Sequence, residues 1–151
     1  MTLRAFLAAA ALLLAAQSSA LAADPNAYFS GLERSDSPND WLIAPEGFPA
    51  EPDAEAPVFA VPAVRLGEIF EAVAMAEGAE VVTDRGEGFL CVVAETSIFG
   101  FEDDVCAQFI ALEEGRSTIA LYSASRVGYW DLGANRVRLE DWLSQVAALA
   151  R

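Results

Sequence analysis

The distribution of proline divides this chain into two parts. All seven prolines lie between Pro25 and Pro62, and the rest of the chain has none. The proline-rich part shows neither helical nor alternating apolar periodicity, so it should run as turns and extended segments. It also contains large apolar residues such as Trp41, which are usually buried in proteins. We therefore expect residues 23–62 to form an extended arm that docks on a core domain of residues 63–151.

The apolar pattern of the core predicts two helices and four strands. Apolar residues recur at helical spacing from Val64 to Gly78, and again near the C-terminus, where Asn135 is placed to cap a last helix. Four stretches suited to strands lie between these helices, at residues 79–83, 89–98, 105–112 and 117–126. Short turns favour antiparallel pairing of consecutive strands. We predict a single two-layer α+β domain, in which a four-stranded antiparallel meander is flanked by an N-terminal and a C-terminal helix and carries a Pro-rich extended N-terminal arm.

The first 22 residues have the pattern of a secretory signal peptide. Arg4 precedes an apolar run over Ala5–Ala16, and small residues surround an expected cleavage point after Ala22. The run is roughly twelve residues long, whereas a membrane span needs about twenty. We expect residues 1–22 to be removed by cleavage near Ala22. The mature protein should then be soluble and periplasmic or secreted, with no stable membrane insertion.

Acidity is the strongest feature of the composition. The chain has nine Arg, no Lys, 23 Asp plus Glu and no His, which gives a net charge of -14 and a pI near 4.1. The absence of histidine excludes Ser-His-Asp and Cys-His catalysis and His-ligated zinc. An excess of carboxylates repels phosphate backbones, so we expect no nucleic-acid partner. The sequence also contains no pattern that calls for a cofactor.

Cys91 and Cys106 would meet an oxidising environment after export, so a disulfide between them is permitted. It would close a loop of roughly fifteen residues and stabilise the fold by about 3 kcal/mol. If the turn between their strands lies near residues 100–103, the two cysteines share a sheet face but are offset along it, beyond bonding reach. The pattern therefore favours buried free thiols over a disulfide. A catalytic thiol is the least favoured role, because no histidine can activate it.

The densest polar segment spans residues 123–138 and joins the last predicted strand to the last helix. Junctions of this kind expose backbone N–H groups that can bind an anion, and three arginines would reinforce them: Arg126, Arg136 and Arg138. The functional hypothesis is a small anion-accepting pocket.

The alternative for this segment is scaffolding. In that interpretation Asn135 caps the helix, and Arg126 pairs with Asp131, Asp103 or Asp104 only to hold the fold together. Asp103 and Asp104 also suggest a site for a hard cation. Consecutive carboxylates point in different directions on an extended chain, however, so we predict no metal site.

Several motifs together resemble the bacterial and plastid domain-of-unknown-function family 1499, and the chain is similar to an exported bacterial member from about Ser35 to Leu149. They are Ser123-Ala124-Ser125-Arg126-Val127-Gly128, Asp131-Leu132-Gly133, Asn135-Arg136, Arg138, Ser37-Pro38-Asn39, and Phe99-Gly100-Phe101 followed by Asp103-Asp104. Many members carry Cys after the Pro-Asn pair, where this chain has Asp40. The resemblance implies no established reaction. It implies candidate binding residues, namely Asn39, Asp103, Asp104, Ser125, Arg126, Asp131, Asn135 and Arg136.

Three functions remain open from the sequence. We favour a non-enzymatic exported domain that binds a small ligand or an envelope partner through the polar junction before the last helix. The first alternative is a histidine-free carboxylate- or metal-dependent hydrolase that uses Asp103, Asp104 or Asp131. The second is a structural envelope protein in which the motif only specifies the fold.

Overall fold

A six-stranded sheet forms the centre of the protein in the computed structural model, which describes residues 25–84, 86, 88–96 and 100–151. The strands are β1 Asp40–Ala44, β2 Ala54–Glu55, β3 Glu80–Asp84, β4 Phe89–Glu95, β5 Glu102–Ala111 and β6 Ser117–Ser125. Their order is β2-β1-β6-β5-β4-β3. The predicted signal peptide lies outside the described residues, as do Phe99 of the family motif and parts of the predicted turns at 84–88 and 97–99.

The sheet is larger than predicted because the Pro-rich arm contributes two strands. β3, β4, β5 and β6 form the expected antiparallel meander, but β1 pairs antiparallel with β6, and β2 pairs parallel with β1. The prediction of a four-stranded sheet is therefore wrong in its extent. β1 escaped detection because Leu42, Ile43 and Ala44 are all buried, on both faces of the sheet, and such a strand has no alternating pattern.

Two long helices cover one face of the sheet. They are α2 Ala63–Ala76 and α3 Ala134–Leu149, and the face that they cover is called the helix face below. Their apolar stripes bury Phe70 of α2 against Trp142 of α3, with ring centroids 5.9 Å apart. α2 follows the predicted spacing, since Leu66, Phe70 and Val73 are buried as that spacing requires. In α3 the predicted Leu139, Trp142 and Val146 are buried, whereas Leu149 is exposed.

The other face, called the arm face below, is covered by residues of the arm between positions 28 and 50. A short helix, α1 Pro25–Ser30, places Phe29 against Phe89 of β4 and Phe48 of the arm, with centroid separations of 6.2 and 5.5 Å. Burying this second apolar face gives the small domain a second core cluster. Within the described part of the chain, no helix has the length and apolar character needed to cross a membrane.

Cys91 and Cys106 form a disulfide on the arm face, and the expectation of offset free thiols is wrong. The two residues are direct partners in the register between β4 and β5, with Cα atoms 4.1 Å apart. The strands pair from Glu95 with Glu102, so the connection between them is centred before residue 100. The expectation failed because it placed that turn too late in the chain. When the centre of a turn shifts by one residue, the partner of each residue on the paired strand shifts by two positions.

Candidate functional site

The alternation of side chains along β5 separates the two neighbouring aspartates of the motif. Asp103 lies on the helix face with Val105, and Asp104 lies on the arm face with Cys106. Asp103 is 0% exposed, whereas the side chain of Asp104 is 45% exposed. The two carboxylates therefore belong to different environments and cannot act as a pair on one substrate.

Asp103 forms a buried ion pair with Arg138 of α3. Arg138 Nη2 donates to Asp103 Oδ2 at 2.7 Å, and Arg138 Nη1 donates to Ser123 Oγ at 3.3 Å and to Asn135 Oδ1 at 3.1 Å. The second carboxylate oxygen, Oδ1, is buried, and no hydrogen-bond donor among the described residues reaches it. A buried carboxylate oxygen without a donor is costly, so this atom is an acceptor in need of a partner.

Asn135 is the centre of the polar network beside that pair. Its Nδ2 donates to the carbonyl of Asn39 at 2.9 Å, to Ser125 Oγ at 2.9 Å and to Asp131 Oδ2 at 2.8 Å. Its Oδ1 accepts from Ser123 Oγ. Asn135 is 0% exposed, so these bonds replace the water that its amide loses on burial.

The prediction that Asn135 caps α3 is wrong, because the capping oxygens belong to Asp131. α3 begins at Ala134, and Asp131 accepts hydrogen bonds from the backbone N–H of Gly133 at 2.8 Å and of Asn135 at 2.9 Å. Leu132 and Gly133 adopt left-handed φ angles of 57° and 81°, which turn the chain back so that Asp131 reaches the helix start. These N–H groups are therefore already bound to a carboxylate, and the helix start does not offer them to an anion.

Asn39 connects the arm to the same network. Its Nδ2 donates to the carbonyl of Gly128 at 2.9 Å, its Oδ1 accepts from Ser37 Oγ at 3.1 Å, and its carbonyl accepts from the backbone N–H of Ser125. Of the eight candidates, five thus lie in one connected set: Asn39, Asp103, Ser125, Asp131 and Asn135.

The remaining candidates lie elsewhere on the surface. Arg126 Nη2 donates to Asp104 Oδ1 at 2.7 Å, and Arg126 also binds Glu102. The hydrogen bonding to Asp104 is the main cause that raises the pKa of the exposed Arg126 guanidinium. Arg136 binds Glu140 at 2.8 Å, and its guanidinium lies 5.2 Å from the ring centroid of Trp41. With Arg138 on Asp103, all three arginines of the expected anion pocket are paired with carboxylates. The expectation of a cationic pocket is therefore not supported by the geometry.

A groove with an apolar lining lies next to the buried pair, and we call it the junction groove. Its volume is about 880 Å³. Its apolar lining includes several exposed side chains: Phe101, Val127, Trp130, Leu132 and Val137. Asp103 and Arg138 contribute to the same lining. The groove thus combines an exposed apolar wall with a buried ion pair that keeps one oxygen unbonded.

The charged residues of the junction groove are mainly acidic. Besides Asp103 and Asp131, its lining contains Glu77, Glu95 and Asp141, and Arg138 is its one basic residue in the described part of the chain. Among the residues that the structure describes, no group of three or more acidic or cysteine side chains is arranged to hold a metal ion. The groove is thus unlike the anion-accepting pocket that the three arginines suggested.

A second polar cluster, on the arm face, was missed from the sequence. Arg34 Nη2 contacts Asp40 at 2.7 Å and Asp53 at 2.6 Å, and Tyr122 donates to Asp40 Oδ2 at 2.8 Å. Burial raises the pKa of Asp40, but hydrogen bonds from Arg34 and Tyr122 outweigh burial and hold it below its usual value. No sequence motif indicates this cluster, because its members are far apart in the chain, in the arm and in β6. Ser123 was missed as well, although the alternation that includes Ser125 places both on the helix face.

Comparison with known proteins agrees with the motifs. The model of a family described as a protein of unknown function, DUF1499, matches residues 17–146. The chain belongs to the DUF1499 family. No curated protein matches the chain. The family description names no activity, so the function has to be argued from the geometry of this member of DUF1499.

Proposed function

We propose that this DUF1499 protein is an exported, non-enzymatic binding domain that holds a small amphipathic ligand in the junction groove. The observation that carries the proposal is the exposed apolar wall beside the buried oxygen of Asp103. Sites for small molecules are typically concave, mostly apolar and supplied with a few polar groups, in volumes of about 300–1,000 Å³. The junction groove, at about 880 Å³, has these properties.

The exposure of the groove's apolar side chains supports binding over scaffolding. Trp130 is 66% exposed, Leu132 70% and Val137 65%. Side chains with this exposure contribute little to the core of the free protein, whereas clustered exposed apolar residues are typical of binding surfaces. The polar network around Asn135 explains much of the family motif as scaffolding. The apolar wall has no such explanation.

The backbone at Leu132 gives a second reason. Leucine carries a side-chain penalty in the left-handed region, where Leu132 has a φ of 57°. The left-handed turn lets Asp131 reach the start of α3, but glycine would make the same turn without strain, so stability does not explain an exposed leucine here. Strain of this kind is concentrated at functional sites, and here it directs a leucine to the groove lining.

The non-enzymatic part of the proposal rests on the state of the acidic residues. Asp131 is occupied by the start of α3, Asp103 is bound to Arg138, and Asp104 lies on the other face bound to Arg126. Asp103 and Asp131 both line the groove, but each is already bound by donors of the protein, which does not favour the acid and base roles of a hydrolase. This arrangement favours binding over hydrolysis.

Export is supported by the pattern of residues 1–22 and by the disulfide between Cys91 and Cys106. Structural disulfides persist in oxidising compartments and are rare in the cytosol. We propose a periplasmic or secreted protein, and fractionation of cells followed by mass spectrometry of the mature N-terminus tests this. A product that starts at Ala23 in the exported fraction is expected, and an uncleaved cytosolic product would contradict export.

Binding is tested with Nile red, a neutral dye that fluoresces in apolar sites. The mature protein should bind the dye, and Val137→Gln should weaken binding roughly fivefold or more because it puts a polar group on the wall. Val64→Gln is the matched control, since Val64 is another exposed helical valine but lies outside the groove. Absence of dye binding, or equal effects of the two substitutions, would remove the junction groove as the site.

A further inference from the structure

The buried oxygen of Asp103 indicates what the ligand carries at its polar end. Asp103 Oδ1 has no donor among the described residues, while Oδ2 is bound by Arg138. An acceptor in this state can take a donor from outside the chain, and Asp103 belongs to the lining of the junction groove. A carboxylate accepts most strongly from a charged donor, because charge-assisted hydrogen bonds are shorter and stronger than neutral ones.

The charges around the groove select the sign of that donor. Among the described residues, five carboxylates line it, against one guanidinium, that of Arg138. Arg126 and Arg136 are outside the lining and are bound to carboxylates of their own. The local potential is therefore negative, and the chain's net charge of -14 adds to it. A ligand with a negative head group would be repelled from the same place.

The aromatic residues of the lining favour a cation as well. Trp130 and Phe101 are both exposed on the groove. The faces of such rings attract cations, tryptophan most strongly. A compact head group suits the position of Asp103, which is fully buried and belongs to the groove lining. A primary ammonium is the most compact cation with several N–H donors.

We propose that the ligand of the junction groove is a small amphiphile with a primary ammonium head group, which donates to Asp103 Oδ1 while its apolar body lies along Val137, Leu132 and Trp130. The inference rests on the proposed function, since it names the chemistry of the ligand for that same groove. It excludes anionic amphiphiles as ligands.

The experiment compares four probes that share an octyl chain: octylammonium, octyltrimethylammonium, octan-1-ol and octanoate. Displacement of Nile red from the mature protein measures each affinity. Octylammonium should bind about tenfold more tightly than octan-1-ol, and octanoate should bind more weakly than octan-1-ol. Octyltrimethylammonium has no N–H, so its affinity should lie between those of octylammonium and octan-1-ol. Equal affinities for octylammonium and octan-1-ol would overturn the inference and leave the proposed groove standing. Failure of all four probes and of Nile red would remove the proposed function itself.

Substitutions locate the preference. Asp103→Asn should abolish the tenfold preference for octylammonium and retain the binding of octan-1-ol. Glu95→Gln should reduce the preference by roughly twofold or more, because it removes one negative charge from the lining. Glu71→Gln is its control, an exposed glutamate of α2 outside the groove. If Asp103→Asn does not fold, the comparison of Glu95→Gln with Glu71→Gln decides, and equal preferences in those two variants would contradict a cationic ligand.

Discussion

Asn135, at the start of α3, donates from Nδ2 to the backbone carbonyl of Asn39 at 2.9 Å, although 96 residues separate the two in the chain. Asn39 immediately precedes β1 and also binds Gly128. One buried amide therefore connects the arm, the loop after β6 and the last helix. The arrangement makes the proline-rich part an integral piece of the fold and gives the polar motif a structural role.

Asn135→Ala should lower the free energy of unfolding by about 3 kcal/mol, because several buried partners lose their hydrogen bonds at once. Urea denaturation with an unchanged m-value measures the loss. Gln145→Ala is a control in the same helix, since Gln145 bonds at the surface to Glu77 and Asp141, and it should change stability by less than about 0.5 kcal/mol. A loss in Asn135→Ala no larger than in the control would contradict the network.

Asp131 and Arg126 should respond differently to truncation although both belong to the same motif. Asp131→Ala removes the oxygens that bind the start of α3 and should cost about 1–2 kcal/mol. Arg126→Ala removes two exposed surface ion pairs and should leave the denaturation midpoint close to that of the unmodified protein. The same urea titration tests both, and equal shifts of the two midpoints would show that this division of the motif is mistaken.

Breaking the disulfide should cost about 3 kcal/mol, since it closes a loop with a sequence separation of 15. The Cys91→Ala/Cys106→Ala double variant and the reduced protein should both show the loss in denaturant titrations. Reductant should have no effect on the double variant, which serves as the control. Thiol titration of the unreduced, denatured protein should detect no free thiol, and detection of two would refute the bridge.

The stability of the protein should fall as the pH rises above the usual tyrosine value of 10.0. Burial and the hydrogen bond to Asp40 raise the pKa of Tyr122 above that value. The folded state therefore holds the phenol proton more tightly than the unfolded state, so this contribution is complete below pH 10 and declines above it. Tyr122→Phe should flatten the decline in stability measured between about pH 10 and 12.

Tyr129→Phe is the control for that experiment, because Tyr129 is 73% exposed and lies outside the cluster. It should leave the alkaline decline unchanged. Identical alkaline profiles for Tyr122→Phe and Tyr129→Phe would rule out this account.

At acid pH the dependence has the opposite sign, since the pKa of Asp40 is lowered in the folded state. The stabilisation from Asp40 is present above the ordinary value of 3.8 and is lost as the pH falls below it.

Leu132→Gly should stabilise the protein by about 1 kcal/mol and weaken the binding of Nile red. Glycine adopts the left-handed conformation of this position without a side-chain penalty, and the substitution removes an apolar contact from the groove. Glu114→Gly is a matched control, because Glu114 has a φ of 61° and is remote from the groove lining. It should stabilise similarly and leave dye binding unchanged, and a loss of binding in both variants would argue against a role for Leu132.

The sequence predicted the parts of the fold that depend on local periodicity. The stripe of α2 and the antiparallel order of β3 to β6 follow from spacing and short turns, and both are present. β1 and β2 were missed because a short strand buried on both faces shows no period. β2 contains only Ala54 and Glu55 and is recognisable through its pairing with β1 alone.

The motif pointed to the right region but not to the roles of its members. Asp103 and Asp104 could be separated from sequence by strand alternation, yet their partners could not be named. Arg138 reaches Asp103 from 35 residues away, and Arg126 reaches Asp104 from 22. Which arginine meets which carboxylate depends on the position of α3 across the sheet.

By itself, the sequence determined where the prolines lie, the helical spacing of α2, the order of four strands and the acidic character of the chain. These properties depend on residues close together in the chain or on composition alone. Only the tertiary structure decided that Cys91 faces Cys106, that the arm extends the sheet, and that Asp103 is buried with one oxygen unbonded beside an apolar groove. Those outcomes depend on strand register and on packing between distant segments, where a shift of one residue changes the face and the partner of every side chain.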